Sequence, residues 1–187
     1  MSVTLIILIA IVVLIVMGIG TYNQLVSLRN RVTQSFADID VQLKQRHDLI
    51  PNLVETVKGY ATHEKGTLEA VIQARNMAMT AGGGTAAQAQ AEGALTAQLG
   101  KLIALGEAYP DLKAIANFQQ LAAELSDIEN KIAASRRFFN NAVTEYNTGI
   151  QHFPAVVFAS TFGFQPRTTF DLGDQRGALE QAPSVKF

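Results

Sequence analysis

An apolar run near the start of the chain constrains its fold more than any other feature. Residues 3–19 read VTLIILIAIVVLIVMGI, and no Asp, Glu, Lys or Arg occurs before Arg29. A helix needs about 17–25 predominantly apolar residues to cross the hydrocarbon core of a bilayer. The sequence therefore predicts a transmembrane anchor over residues 1–20, followed by a polar body.

The residues around the run indicate whether the anchor is retained and how it is oriented. A cleaved signal peptide starts with basic residues, whereas only Met1 and Ser2 precede this run, so retention is favoured over cleavage at Gly18-Ile19-Gly20. Basic residues follow the run, beginning with Arg29 and Arg31. By the positive-inside rule the body is predicted to be cytoplasmic, with the N-terminus outside.

Composition excludes several classes of protein. The chain has 15 basic and 16 acidic residues, a net charge of −1 and no block of basic residues, which disfavours nucleic-acid binding. It contains no cysteine, which excludes a lipoprotein anchor, disulfides and a thiol nucleophile. Residues 21–170 are expected to form one domain, and the polar residues 171–187 a disordered tail.

The body has the periodicity of amphipathic helices. Apolar residues recur at spacings of three and four from Leu25 to Tyr60, with a gap between Leu43 and Ile50. Pro51 predicts a kink, because proline removes one helical hydrogen bond; a reversal at Pro51 is the alternative. If the stripe continues beyond Tyr60, the first helix extends to about residue 80.

Later segments predict further helices. Gly82–Gly84 predicts a turn, residues 86–108 a second helix, and the apolar stripe over residues 112–150 a third. Short loops between long amphipathic helices produce antiparallel neighbours. The predicted fold is all-α: a transmembrane helix followed by an up-and-down antiparallel bundle of three to four long helices.

Several segments resemble the LemA family of bacterial membrane proteins. They are YNQLV at 22–26, DIDVQLK at 38–44, RHDLIPNLVETVKGY at 46–60, YPDLK at 109–113, ENKI at 129–132, RRFFN at 136–140, and Phe153-Pro154 with Gly163-Phe164. The resemblance implies a single span in the bacterial inner membrane, a helical bundle and an undefined molecular function. It also implies a partner rather than chemistry, with a membrane protease as one candidate. Phe36 and Phe138 depart from the Trp and Tyr that are frequent in the family, which weakens any role for an indole or hydroxyl there.

Residues with catalytic or metal-binding side chains do not form a convincing motif. His63-Glu64 begins like the zinc-protease helix motif, but Thr67 stands where the second histidine is required. His47 lies too far along a helix from His63 to share an ion with it. Asp38 and Asp40 point to different helix faces and suit a solvated surface. We therefore expect no metal, no cofactor and no enzymatic activity.

A polar network between helices is the strongest candidate site. Asn140 and Asn147 lie one heptad apart, beside the seam that Phe139 and Tyr146 define, and a buried Asn at such a seam fixes helix register. We predict that residues of this seam pair with residues near the proline kink, in a structural or interaction role. The candidates are Asp48, Pro51, Asn52, Arg136, Asn140, Tyr146 and Asn147.

Two hypotheses of function follow. The first is a non-enzymatic, membrane-anchored scaffold or adaptor that recruits a membrane-associated protein or further copies of itself. The second is a membrane-remodelling or lipid-sensing protein that uses the Phe-rich segment 153–170 as a second membrane contact. Packing of these aromatic side chains against the bundle is the simpler expectation.

Overall fold

The chain is helical throughout the part that the structure describes. The computed structural model describes residues 2–61, 64–81, 85–157 and 159–170, and within these ranges it contains no strand. The elements are α1 (Val3–Lys58), α2 (Lys65–Thr80), α3 (Thr85–Ala108), α4 (Pro110–Lys113), α5 (Ala116–Gln151) and a 3-10 turn (Ala155–Val157). The predicted all-α fold is confirmed. The Gly82–Gly84 turn and the predicted tail 171–187 lie outside the described residues.

Helix α1 carries the apolar run. Among the described helices it is the one that is long and apolar enough to cross a membrane, with a mean hydropathy of 3.2 in its most apolar window and none of that window buried. The helix continues through Pro51, so the prediction of no reversal there is confirmed. It ends at Lys58, so the extension to residue 80 is wrong. Gly59 follows directly and weakens helix continuation, since glycine loses the most backbone entropy on folding.

The structure divides into two compact units, which are described separately. The anchor unit comprises Met1–Asp38 and Ser135–Thr169, and the body unit comprises Ile39–Ala134 with Phe170. In the anchor unit, α1 and α5 run antiparallel, as shown by three pairs that contact across the helices. The pairs are Phe36 with Phe139, Arg31 with Glu145, and Leu28 with Gly149.

The body unit is an up-down-up-down bundle of four helical segments. Helix α2 returns alongside α1, since Arg75 reaches the backbone of His47. Pairs between helices show that α3 runs parallel to α1 and that α5 runs antiparallel to it: Asp40 with Gln88, Arg46 with Glu92, Thr56 with Asn117, and Arg46 with Glu129. The break after Lys58, rather than a reversal at Pro51, gives the bundle its fourth helix.

The core of the body unit follows the predicted stripes. Ile50, Leu53 and Val57 of α1 are buried against Leu95, Leu99 and Leu102 of α3 and Leu121 and Leu125 of α5. The third predicted helix is divided into α4 and α5, because the chain turns at Ala114 and Ile115. Leu112 and Phe118 nevertheless both stay buried, which explains why the stripe reads as continuous.

Candidate functional site

A buried ionic cluster lies at the centre of the body unit. Arg46 comes from α1 and is only 1% exposed, an extreme value for an arginine. Its Nη1 donates to Glu129 Oε1 of α5 at 2.6 Å and to Thr96 Oγ1 of α3 at 2.8 Å. Its Nη2 donates to the carboxylate of Glu92, also on α3. One side chain of α1 therefore holds α3 and α5 together.

The partners of Arg46 also form hydrogen bonds and ion pairs of their own. His47 Nε2 lies 3.1 Å from Glu92 Oε1, so the Glu92 carboxylate is shared between two consecutive residues of α1. Thr96 Oγ1 also donates to the Glu92 backbone carbonyl at 3.1 Å. Burial raises the pKa of the Glu92 carboxyl, but the hydrogen bond with His47 and the charge of Arg46 lower it by more. The pKa of Glu92 therefore lies below its ordinary value of 4.5.

The chemistry of this cluster is structural. A carboxylate with a lowered pKa stays ionised and acts only as an acceptor, and arginine does not give up its proton in proteins. The Arg46 and Glu92 side chains are 1% and 5% exposed, so a substrate reaches them only if the helices separate. The cluster fixes the register of three helices, as buried polar contacts do in other helical assemblies.

A hydrogen bond from α2 compensates for the helical hydrogen bond that the proline in α1 removes. Pro51 has no N–H, so the carbonyl of His47, four residues earlier, loses its usual helical donor. Arg75 of α2 supplies that donor, with Nε 2.7 Å from the His47 carbonyl oxygen. Because a buried carbonyl without a donor is costly, Pro51 creates an acceptor that positions α2 against α1.

The other predicted residues of the body unit lie at its surface. Asp48 is exposed and pairs with Lys44 along α1 at 2.5 Å. The Asn52 side chain is exposed, and its backbone carbonyl accepts from Thr56 Oγ1 at 2.8 Å. Neither residue belongs to the ionic cluster.

The remaining predicted residues belong to the anchor unit. Tyr146 is buried and its hydroxyl donates to the Gln165 carbonyl at 2.9 Å. Asn147 donates to the Arg167 carbonyl at 2.8 Å and accepts from the Arg167 N–H at 2.9 Å, so it holds the segment after α5. Arg136 and Asn140 are half-buried on α5. Their predicted pairing with Asp48 and Asn52 stays a prediction.

The structure does not bring the described residues of the metal hypothesis together. His47 is engaged with Glu92, and His63 lies outside the described residues. Among the residues whose placement is described, no group of three or more His, Asp or Glu side chains is arranged to hold a metal ion.

An open apolar groove lies on the surface of the body unit, between the end of α1 and the start of α2. Its volume is about 410 Å³, and its apolar lining comes from Val54, Ala61, Leu68 and Ile72. Charged residues of both signs complete the lining: Glu55, Lys58, Lys65 and Glu69. Ile72 is 42% exposed, which is a large fraction for an isoleucine on an amphipathic helix.

Sequence reasoning missed the ionic cluster, although a signal was present. Arg46 occupies the gap in the apolar stripe between Leu43 and Ile50, at helical spacings of three and four from them. Glu92 similarly follows Ala89 by three residues and precedes Leu95 by three on the buried side of α3. A charged residue at a core position of one helix indicates an opposite charge at the core position of another.

Comparison with known families agrees with this architecture. The model of the LemA family matches residues 35–187, which is most of the chain. The chain belongs to the LemA family. The match begins within α1, beyond the apolar run, and includes all three helices that contribute to the ionic cluster.

Relatives carry the names of magnetosome and LemA proteins. The family member described here is similar to Magnetosome protein MamQ of Magnetospirillum gryphiswaldense, at 25% identity over 169 residues and 77% of this chain. Magnetosome protein MamQ 1 of Paramagnetospirillum magneticum is 24% identical over 77% of this chain. Protein LemA of Metamycoplasma hominis is 26% identical over 135 residues and 72% of the chain. The chain spans 62% of the length of each of these relatives, and none of their names is that of an enzyme.

Proposed function

We propose that this LemA-family protein is a non-enzymatic, membrane-anchored scaffold whose groove receives an amphipathic helix of a membrane-associated partner. The observation that carries the proposal is the groove itself, an apolar surface that is open to solvent beside the core of the bundle. The ionic cluster does not argue for catalysis, because Glu92 and Glu129 are both paired with Arg46. The names of the relatives also give no support to an enzyme.

The lining of the groove selects the type of partner. Its apolar part suits the apolar stripe of a helix, which recurs every three to four residues. Its rim carries Glu55 with Lys58 on one side and Lys65 with Glu69 on the other. Such a rim of both signs complements a helix with both acidic and basic flanks, and offers little attraction to nucleic acid or an anionic lipid surface.

The location proposed for this interaction is the cytoplasmic side of the bacterial inner membrane. Arg29 and Arg31 follow the apolar run, which supports a cytoplasmic bundle and an N-terminus outside. A membrane protease is one candidate partner within that compartment. Self-association through the groove is the competing occupant.

Site-specific crosslinking tests the groove. Because the chain lacks cysteine, Ile72→Cys in the groove and Gln73→Cys, exposed on α2 outside the groove lining, form a matched pair for a photoactivatable maleimide crosslinker in cells. We expect Ile72→Cys to crosslink one defined membrane-associated protein and Gln73→Cys not to do so. In separate cells, Ile72→Asp should lower copurification of the same protein while thermal stability is unchanged.

Two results would contradict the proposal. Equal crosslinking of one protein from both positions would show that the groove does not select it. Crosslinks that join two copies of this chain from Ile72→Cys would assign the groove to self-association instead.

Orientation has its own test. Ser2→Cys and Ser126→Cys place single thiols before the apolar run and on the exposed surface of α5. With a membrane-impermeant maleimide on intact cells, we expect labelling at position 2 and protection at position 126. The reverse pattern would place the bundle outside the inner membrane.

A further inference from the structure

The segment after α5 forms a turn with an inner and an outer face. Backbone hydrogen bonds close it, including His152 O with Val156 N at 2.9 Å and Ala159 O with Phe164 N at 2.9 Å. Ala155, Ala159 and Phe164 are buried on its inner side. Four large apolar residues on its outer side are exposed, and we name these the apolar turn: Phe153 (78%), Val157 (68%), Phe162 (56%) and Val156 (50%).

The expectation that the aromatic segment packs against the bundle is confirmed for Phe164, which is buried. Phe162 is about half exposed and its ring packs against Tyr22, whereas Phe153, Val156 and Val157 are exposed. The turn is not loose, because Asn147 and Tyr146 hold the backbone of Arg167 and Gln165 beyond it. Exposure of four large apolar side chains on a fixed turn is unusual for a soluble surface and marks an interaction site.

The register of α1 and α5 shows where the apolar turn lies within the anchor unit. A Cβ on Gly149 would come within 2.7 Å of Leu28 and 3.6 Å of Leu25, so position 149 lies level with these leucines. The helices are antiparallel, and each advances about 1.5 Å per residue. Helix α5 ends at Gln151, so the turn that follows it lies toward the end of α1 that carries Tyr22.

Ring contacts confirm this placement independently. The Tyr22 ring lies edge-on to Phe162, with centroids 5.4 Å apart, and edge-on to Phe164 at 5.7 Å. Tyr22 is the third residue after the apolar run of residues 3–19. The apolar turn therefore lies beside the end of the apolar run of α1.

The charges at this end of the anchor unit suit a lipid surface. No Asp or Glu occurs in residues 3–37 or 146–170, the two stretches that meet there. Arg29 and Arg167 supply positive charge, with the Arg29 guanidinium 5.3 Å from the centre of the Phe164 ring. Apolar side chains flanked by basic residues and lacking acidic ones are typical of segments that lie in the membrane interface.

We propose that the apolar turn is a second membrane contact, in which its four side chains enter the headgroup region of the leaflet from which α1 emerges. The contact gives the anchor unit a fixed height and tilt on the bilayer, which a single transmembrane helix does not provide. The proposal depends on the anchor and not on the groove, so it stands or fails separately from the scaffold function.

Fluorescence of the full-length protein in vesicles tests the contact. Val157→Cys, Thr148→Cys and Asn141→Cys would each carry an environment-sensitive NBD label, in vesicles of phosphatidylcholine and phosphatidylglycerol. Thr148 and Asn141 are exposed on α5 at increasing distance from the turn. We expect a blue-shifted emission at position 157, and quenching by a nitroxide on the upper acyl chain that exceeds the values at 148 and 141 several-fold.

A second reporter and an opposite outcome keep the test decisive. Val156→Cys should behave like Val157→Cys, since both side chains are exposed and neither supports the core. Quenching at 156 and 157 no greater than at 148 would overturn the proposal. A second pattern would also overturn it: the label at position 157 is shielded from aqueous iodide but is not quenched by lipid, and crosslinks through position 157 join two copies of the chain. The turn would then be a protein interface.

Discussion

The pairing of Pro51 with Arg75 leads to a prediction about coupled stability. In the wild type, the His47 carbonyl has no helical donor and accepts from Arg75 Nε at 2.7 Å. Pro51→Ala restores an N–H at position 51, which is the normal helical donor to that carbonyl. The effect of removing Arg75 should therefore depend on which residue occupies position 51.

The expected magnitudes follow from the half-buried position of this hydrogen bond. A hydrogen bond from a charged donor contributes about 1.5–3 kcal/mol, so Arg75→Leu should cost about 2 kcal/mol when Pro51 is present. In the Pro51→Ala background, where the backbone supplies the donor, the same change should cost about 1 kcal/mol or less. The coupling energy of about 1 kcal/mol exceeds the usual additivity error of about 0.3–0.5 kcal/mol.

A double-mutant cycle measures this coupling. Wild type, Pro51→Ala, Arg75→Leu and the double variant would be unfolded with urea in detergent and followed by far-UV circular dichroism. Arg137→Leu, which removes an exposed arginine of α5, serves as the control and should show no coupling to position 51. If Arg75→Leu costs the same free energy of unfolding in both backgrounds, the proline does not create the acceptor that Arg75 uses.

Three further predictions concern the packing and charges of the bundle. Arg46→Met should cost about 3–5 kcal/mol of unfolding free energy, because it leaves the buried Glu92 carboxylate without its arginine. Arg31→Met breaks an ion pair in which both side chains are about half exposed, and should cost at most about 1 kcal/mol in the same denaturation assay. Gly106→Ala should lower the thermal midpoint, since its Cβ would lie 2.1 Å from the Phe118 ring and overpacking costs about 1–3 kcal/mol. The pKa of Glu92 is lower in the folded protein than its ordinary value of 4.5, so ionised Glu92 stabilises the fold above pH 4.5. This contribution is lost as the pH falls through the pKa that Glu92 has in the folded protein. The urea midpoint of Glu92→Gln should therefore fall less steeply in acid than that of the wild type.

Each of these has a result that would contradict it. If Arg46→Met and Arg31→Met lower the free energy of unfolding by the same amount, burial does not strengthen the ion pairs of Arg46. A Gly106→Ala variant as stable as Gly100→Ala, where no atom lies within 4 Å of the added Cβ, would refute the close approach. Parallel pH profiles of wild type and Glu92→Gln would remove Glu92 from the acid response.

Much of the fold could be predicted from the sequence because helix periodicity is a local property. The stripe from Leu25 to Val57 and the one from Leu112 to Ile150 supply most of the core residues of these helices, and Pro51 does not end α1. Tyr60, the last residue of the first predicted stripe, is 52% exposed and lies beyond the end of α1. The break between Lys58 and Lys65 was harder to predict. Gly59 alone is tolerated in many helices, and it is the return of α2 along α1 that makes the break stable.

The candidate site was much less accessible from the sequence. Apolar periodicity identifies where a helix is buried but does not pair one charged core position with another. Arg46, Glu92 and Glu129 are separated by 46 and 83 positions measured from Arg46. The pairing of Asn147 with Arg167 was missed for a related reason, because the irregular segment after α5 has no period that predicts its path.

The distance along the sequence between Arg46 and its two carboxylate partners has a consequence for biosynthesis. A ribosome delivers the anchor first, then Arg46, and only much later the two carboxylates that neutralise it. Until Glu129 has emerged, Arg46 has no complete set of partners and must remain hydrated, so the bundle cannot close around it. We therefore expect the helices of the body unit to pack together only after α5 has been synthesised, when the apolar run has already left the ribosome. A nascent chain stalled before α5 would present its apolar stripes, still unpaired, next to the membrane that its first helix has entered.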